Sequence, residues 1–163
     1  HDTRQIHMNS QLSAVDLSAL LLPVTARLLI VPSVVVAEII KRRDLHPPAG
    51  APDWLLGRIQ WHHALVPVIS FEALNNGTRP DPGAGSRIVI LATVAENTPE
   101  RYYAILTQGV PHLLRLTPDD VRAVEGVMHG PAELMQVSVH GQLAAIPDLE
   151  YLERHASMGT VVQ

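Results

Sequence analysis

Proline sets the tightest limit on what this chain can become. Thirteen prolines punctuate 163 residues, and the longest interior stretch without one runs only from Gly83 to Thr98. Inside a helix each proline removes a hydrogen bond and clashes with the preceding turn, at a cost of about 3 kcal/mol or more. Long helices, coiled coils and helical bundles are thereby excluded. Between the prolines lie short runs of Val, Ile and Leu, separated by turn residues. Many short strands joined by regular turns predict a mainly β protein, a barrel or a sandwich.

Leu20–Val24 and Leu28–Val31 read as the first strand pair, turned at Thr25–Arg27. The stretch Ala19–Ile40 is long enough to span a bilayer, but Arg27 and Glu38 charge it and Pro23 and Pro32 break it, so no membrane insertion is expected. Val34–Ile40 opens with three successive β-branched residues and predicts a strand. Ala51–Gly57 predicts one helical turn, with proline at its start and glycine after it. Ile59–Trp61 and Leu65–Ile69 predict a hairpin bridged by His62 and His63. The stretch from Asn75 to Ser86 is the most loop-like and divides the chain nearly in half. Beyond it, Arg87–Val94 pairs with Tyr102–Thr107, Leu113–Leu116 is a strand, and Thr117–Asp120 starts a brief helix. Leu134–His140 and Leu143–Ile146 form a third hairpin around Gly141, and Pro147–Leu152 a closing helical turn. Residues 1–18 read as a mobile leader and 156–163 as a tail.

Apolar residues make up 47% of the chain and charged ones 17%, the opposite of a disordered composition. The net charge is −4 and Lys41 is the only lysine, so no basic patch for nucleic acid or anionic lipid is expected. Without cysteine there is no disulfide framework, thiolate metal site or Cys nucleophile. Nine histidines invite a metal reading, but His62 and His63 are the only adjacent pair, and neighbours on a strand point to opposite faces. Gly83-Ala84-Gly85 lacks the third glycine of a dinucleotide fingerprint and precedes a strand rather than a helix. Asp119 and Asp120 read as helix-start acids, and Trp54 and Trp61 as packing or interface residues. No catalytic set, metal or cofactor is expected. A chain this apolar and this lightly charged suits a protein that binds other proteins through apolar patches.

From about Leu20 to Glu153 the order of these elements resembles the CheW-like domain of bacterial chemosensory systems. The most specific stretch is Pro48–Phe71, which is similar to the family's proline loop, apolar turn, G-x-I-N-x-R-G run and V-P-V-I-D-L strand. Val36-Ala37-Glu38-Ile39-Ile40 resembles its V-x-E-I strand, and Ile105–Val110 its V-V-D-x-V strand. Leu114–Val121 resembles the L-x-L-T continuation, and Gly141–Leu152 the final turn, strand and helix. Three positions depart from the pattern. His62-His63 stands for Arg-Gly, Ser70 for the aspartate after the V-P-V-I strand, and Gln108 for the aspartate of the V-D-x-V strand. Glycine tolerates a positive φ that His63 does not, so the hairpin is expected to be remodelled. A group that titrates near neutral pH replaces a permanent charge. Such divergence resembles the ChpC-type adaptors of pilus-linked systems.

The resemblance implies two intertwined five-stranded SH3-like barrels with a few helical turns, in a domain over residues 19–155. Barrel 1 would take 19–65 and 143–155, and barrel 2 66–142. It implies a cytoplasmic, non-catalytic adaptor linking the tips of methyl-accepting receptors to the regulatory domain of a CheA-type histidine kinase, serving type IV pilus motility. Partner contacts are then expected at Val36, Glu38, Gly57, His62, His63 and Val110. The alternative is a small-ligand or lipid-binding barrel, which requires an apolar cavity between the barrels.

Overall fold

The runs of apolar residues become strands with two hydrophobic faces to bury. The computed structural model describes residues 17–161, so 1–16, most of the expected leader, lie outside the described residues, as do 162–163. The strands are β1 (Leu17–Val24), β2 (Arg27–Pro32), β3 (Val36–Lys41), β4 (Leu55–Trp61), β5 (Ala64–Ile69), β6 (Arg87–Ala92), β7 (Tyr102–Leu106), β8 (His112–Leu116), β9 (Val121–Ala123), β10 (Glu133–Val139) and β11 (Gln142–Pro147). The helices are α1 (Phe71–Asn76) and α2 (Leu149–Val161). One sheet has the order β8-β1-β2-β11-β10-β9, the other β3-β6-β7-β5-β4.

The two sheets share a plan. In each, a hairpin (β4–β5 or β10–β11) lays its second strand parallel to a strand of another hairpin, β7 or β2 respectively. A helix follows at once, started by a side-chain cap. The Ser70 hydroxyl accepts from the Ala73 N–H at 3.1 Å, and Asp148 Oδ1 accepts from the Tyr151 N–H at 3.1 Å. Each helix then reaches to a turn of the opposite sheet. Glu72 of α1 accepts from the Thr25 N–H at 2.9 Å, in the β1–β2 turn. Glu153 of α2 accepts from the Val94 and Ala95 N–H groups at 2.7 and 2.9 Å, just past β6. Two buried carboxylates thus lock the sheets together reciprocally.

Side-chain alternation distributes the core. Leu20, Leu22, Leu29 and Val31 meet Val89, Leu91, Tyr103 and Ile105 between the sheets, closed by Phe71, Leu74, Leu152 and Ala156 from the helices. The intervening residues Ile88, Ile90, Ala104 and Leu106 turn the other way, into a core beneath β4 and β5. Ala19, Leu116, Val137, Val139 and Ala144 fill a smaller core under the first sheet. Burial on both faces is why these strands read as continuous apolar runs.

The strands divide between the sheets otherwise than the expected cut at 65/66. β3 and β4 belong with β6 and β7, while β8, β9 and β10 belong with β1 and β2. A cut between 65 and 66 falls inside β5, whose residues pair with β4 from Ala64 to Ile69. The helical turn expected over Ala51–Gly57 is instead a turn at Asp53–Trp54 followed by β4, because the Ser70 N–H donates to the Trp54 carbonyl at 2.8 Å and extends the ladder. The strand expected from Val34 begins only at Val36, after a single 3-10 turn over Ser33–Val35. α1 was not expected. Ser70 caps it, and Gly77 at φ 84° ends it by donating to the Ala73 carbonyl at 3.0 Å. α2 outruns the expected closing turn, so residues 156–161 are helix rather than tail, with Ala156 in the core.

Under the first sheet Glu133 is fully buried beside the partly exposed Arg27. Burial opposes its ionisation. The Gly130 N–H, the Gln136 amide and the Arg27 guanidinium outweigh that and hold the carboxyl below the ordinary glutamate value. A depressed folded-state value contributes stability that is complete above the unfolded value and is lost as pH falls through the folded one. Stability by urea melts is therefore expected to hold steady from neutral pH to about pH 5 and to fall below it, and Glu133→Gln should flatten that acid limb. An acid limb of unchanged slope in Glu133→Gln would contradict this.

Candidate functional site

The β4–β5 hairpin turns on two residues alone, His62 at φ 44° and His63 at φ 65°. Two successive positive φ values are the geometry of a type I′ turn, whose twist matches that of the flanking strands and which ordinarily uses Asn-Gly. The expected remodelling does not occur: the paired strands fix the register, and two L-residues accept the left-handed region at about 1–2 kcal/mol each. The β10–β11 hairpin makes the same turn with His140 at φ 50° and Gly141 at φ 81°.

The turn holds a polar and aromatic cluster at the surface. Trp61, the last residue of β4, donates from Nε1 to Glu38 Oε1 at 2.8 Å. Glu38 lies on β3, at the far edge of the same sheet, so this contact bridges the two edges. His62 Nε2 lies 3.5 Å from the same Glu38 oxygen. The Trp61 ring meets His62 edge-on at 4.5 Å between centroids and Tyr102 of β7 at 4.8 Å. The His62 side chain is 71% exposed and that of Glu38 46%, so the cluster is an accessible face held in place by its own contacts.

Of the residues expected to meet partners, Glu38 and His62 come together here, with His63 next to His62 in the turn. Val36 precedes them on β3, but its side chain packs partly buried against the core between the sheets, and a β-bulge separates it from Glu38. Val110 lies apart, 45% exposed in the link that carries the chain from β7 to β8. Gly57 is buried at a bulge of β4 with φ 155°, where an added Cβ would stand 3.1 Å from the His46 nitrogen and 3.3 Å from Leu45 Cβ. Its place is beneath the arm after β3 rather than on the exposed face. Trp61 and Tyr102 were not singled out as members of this cluster. The only signal was a tryptophan at the end of a strand, next to the turn.

Beyond this cluster, His140 Nε2 lies 3.2 Å from Asp120 Oδ1. Asp120 is held below the ordinary aspartate value by the Thr117 N–H first and by His140 next. Among the described residues no group of three or more His, Cys, Asp or Glu is placed to hold a metal ion. No described helix is long and apolar enough to cross a membrane.

The family model of the CheW-like domain matches residues 18–157. The chain belongs to the CheW-like family. The scaffolding protein TtCheW from Thermoanaerobacter tengcongensis is similar in fold, with a TM-score of 0.68 at 14% identity, over 83% of this chain and 90% of that one. A comparison with curated proteins finds no match.

Two of the three positions that depart from the CheW-like pattern hold structural places in this chain. Ser70, standing for an aspartate, caps α1, its hydroxyl oxygen accepting from the N3 N–H. Gln108 donates its backbone N–H to the Pro23 carbonyl at 2.8 Å and ties the β7–β8 link to the other sheet, which needs no particular side chain. Of the three, His62-His63 is fully at the surface, Gln108 is half-buried and Ser70 is buried.

Proposed function

We propose that this CheW-like chain is a non-catalytic adaptor of bacterial chemosensory signalling. It couples methyl-accepting receptors to the regulatory domain of a CheA-type histidine kinase, in the pilus-linked branch. The observation that carries the proposal is the family match across 18–157 together with two complete interlocked sheets. The adaptor works by coupled binding: a contact that differs between kinase states shifts their populations by its differential affinity. The face built by Glu38, Trp61, His62 and His63 is its kinase contact. Energetic anchors of protein interfaces are enriched in tryptophan and tyrosine, and Trp61 and Tyr102 meet at this face. Val36 supports that face from below. Gly57 positions the neighbouring arm, and Val110 serves a separate contact.

The small-ligand alternative needs a cavity between the sheets. Leu22, Leu29, Tyr103 and Ile105 fill that space and are wholly buried there.

Calorimetric titration of the full chain with the CheA-type regulatory domain from the same cell tests the adaptor reading. Saturable binding is expected. Glu38→Arg should weaken it at least about tenfold, because it removes the acceptor for Trp61 Nε1 and reverses the charge beside His62. The thermal midpoint should hardly move, since Glu38 is exposed. Absence of binding by the folded wild-type chain would remove the kinase partner, and equal affinity of Glu38→Arg would remove this face.

A further inference from the structure

The balance of charge over the whole chain predicts no basic patch, yet the fold assembles one. Six of the twelve Lys and Arg residues lie between positions 41 and 87, with four of the sixteen acids. One of those acids, Glu72, is buried against the β1–β2 turn and takes no part in the surface. Arg42 and Arg43, on the arm after β3, and Arg79, in the loop before β6, line a cleft of about 390 Å³. Gly57 lets that arm lie tight against β4 at Leu45 and His46. Leu56 of β4 and Leu106 of β7 give the cleft apolar wall, and Pro47, Pro80 and Pro82 contribute walls without N–H donors.

The three guanidinium groups are oriented but not neutralised. Arg42 donates to the Pro82 carbonyl at 3.4 Å, Arg43 to the Gln60 carbonyl at 3.1 Å, and Arg79 to the Asp53 carbonyl at 3.4 Å. Among the described residues none of the three pairs with a carboxylate. A carbonyl fixes the direction of the fork and leaves its charge and most of its five donors available. Asp44 and Asp81 also line the cleft and offset part of the charge. That partial offset disfavours a continuous polyanion such as nucleic acid, while the apolar wall suits an aliphatic side chain set between acids.

We propose that this cleft receives an acidic, extended segment of a partner protein, its carboxylates taken by Arg42, Arg43 and Arg79 and an apolar side chain by Leu56 and Leu106. The site is distinct in chemistry from the Glu38–Trp61–His62 face, and its test uses neither kinase nor receptor. A fluorescein-labelled peptide of sequence Glu-Glu-Ile-Glu-Glu is titrated with the full chain, followed by anisotropy. Saturable binding is expected at low ionic strength, weakening as salt rises through the screening range. Arg42→Ala combined with Arg79→Ala should weaken it roughly tenfold, with an unchanged thermal midpoint since both residues are exposed. Asp44→Asn combined with Asp81→Asn should tighten it severalfold by removing like charge. The same peptide with Gln for Glu should not bind. Equal binding by the arginine variant and wild type, no binding at low salt, or undiminished binding of the Gln peptide would each overturn the proposal. Displacement of the peptide by stoichiometric inorganic phosphate would reassign the cleft to a small anion and overturn it as well.

Discussion

Glu153→Ala is expected to destabilise the protein by about 3 kcal/mol, because it removes two charge-assisted hydrogen bonds at once. Its carboxylate is 1% exposed and accepts from the Val94 and Ala95 N–H groups. A hydrogen bond to a charged group contributes about 1.5–3 kcal/mol. For a chain of this length that corresponds to a fall of roughly 6–12 °C in Tm. The loss also loosens the link between the sheets, since α2 follows one sheet and Val94 follows β6 of the other. Glu150→Ala is the matched control. It sits on the same helix with the same change in helix propensity, but is exposed, and should stay within about 0.5 kcal/mol of wild type. Differential scanning calorimetry of the two variants decides the matter: equal midpoints would mean that the Glu153 clamp contributes nothing. The neighbouring Tyr103 is wholly buried. Its phenol is pushed well above the ordinary tyrosine value by burial first and by the Glu153 charge second, so it stays protonated throughout the accessible range.

Trp61→Ala is expected to weaken binding to the kinase regulatory domain by about thirtyfold or more, the range of a buried aromatic anchor at a protein interface. The ring makes three contacts at the proposed face, with Glu38, His62 and Tyr102. Its removal deletes contact area and also releases the other three side chains. Trp61→Phe separates the two effects, since it keeps an aromatic surface and loses only the Nε1–H bond to Glu38. Its loss of affinity should be several times smaller. Calorimetry on the two variants, with thermal midpoints as a check on the fold, reads this directly. Unchanged affinity of Trp61→Ala would place the kinase contact elsewhere, with the link carrying Val110 as the next surface to vary.

The histidine turn shows where the sequence stops being informative. A steric rule predicted that His63 would force the β4–β5 hairpin to change, because isolated L-residues avoid positive φ. In the folded protein the cost is local and small beside the paired strands and buried faces that depend on the register, so the turn keeps its two residues and carries the strain. The helical turn expected over Ala51–Gly57 failed for a related reason. Pro52 and Gly57 carry local signals for a helix, but Leu55 and Leu56 are both buried in β4, Leu56 in the core beneath β4 and β5. α1 was hidden in six residues that a serine cap and a left-handed glycine define only when taken together.

By itself the sequence determined the β class, the position of most strands, the hairpins at His62-His63 and Gly141, and the family resemblance. Those properties rest on local patterns: proline spacing, β-branched runs and turn residues act over a few positions. It did not determine which strands share a sheet, that Glu72 and Glu153 each cross to a turn of the opposite sheet, or that Glu38, Trp61, His62 and Tyr102 meet. Nor did it show that three arginines of an acidic chain line one cleft. Each of those depends on contacts between residues distant in sequence. The parallel pairings β2–β11 and β5–β7 and the near-complete burial of both faces of the central strands bring them together, and a hydrophobic run reads the same whichever neighbour it pairs with.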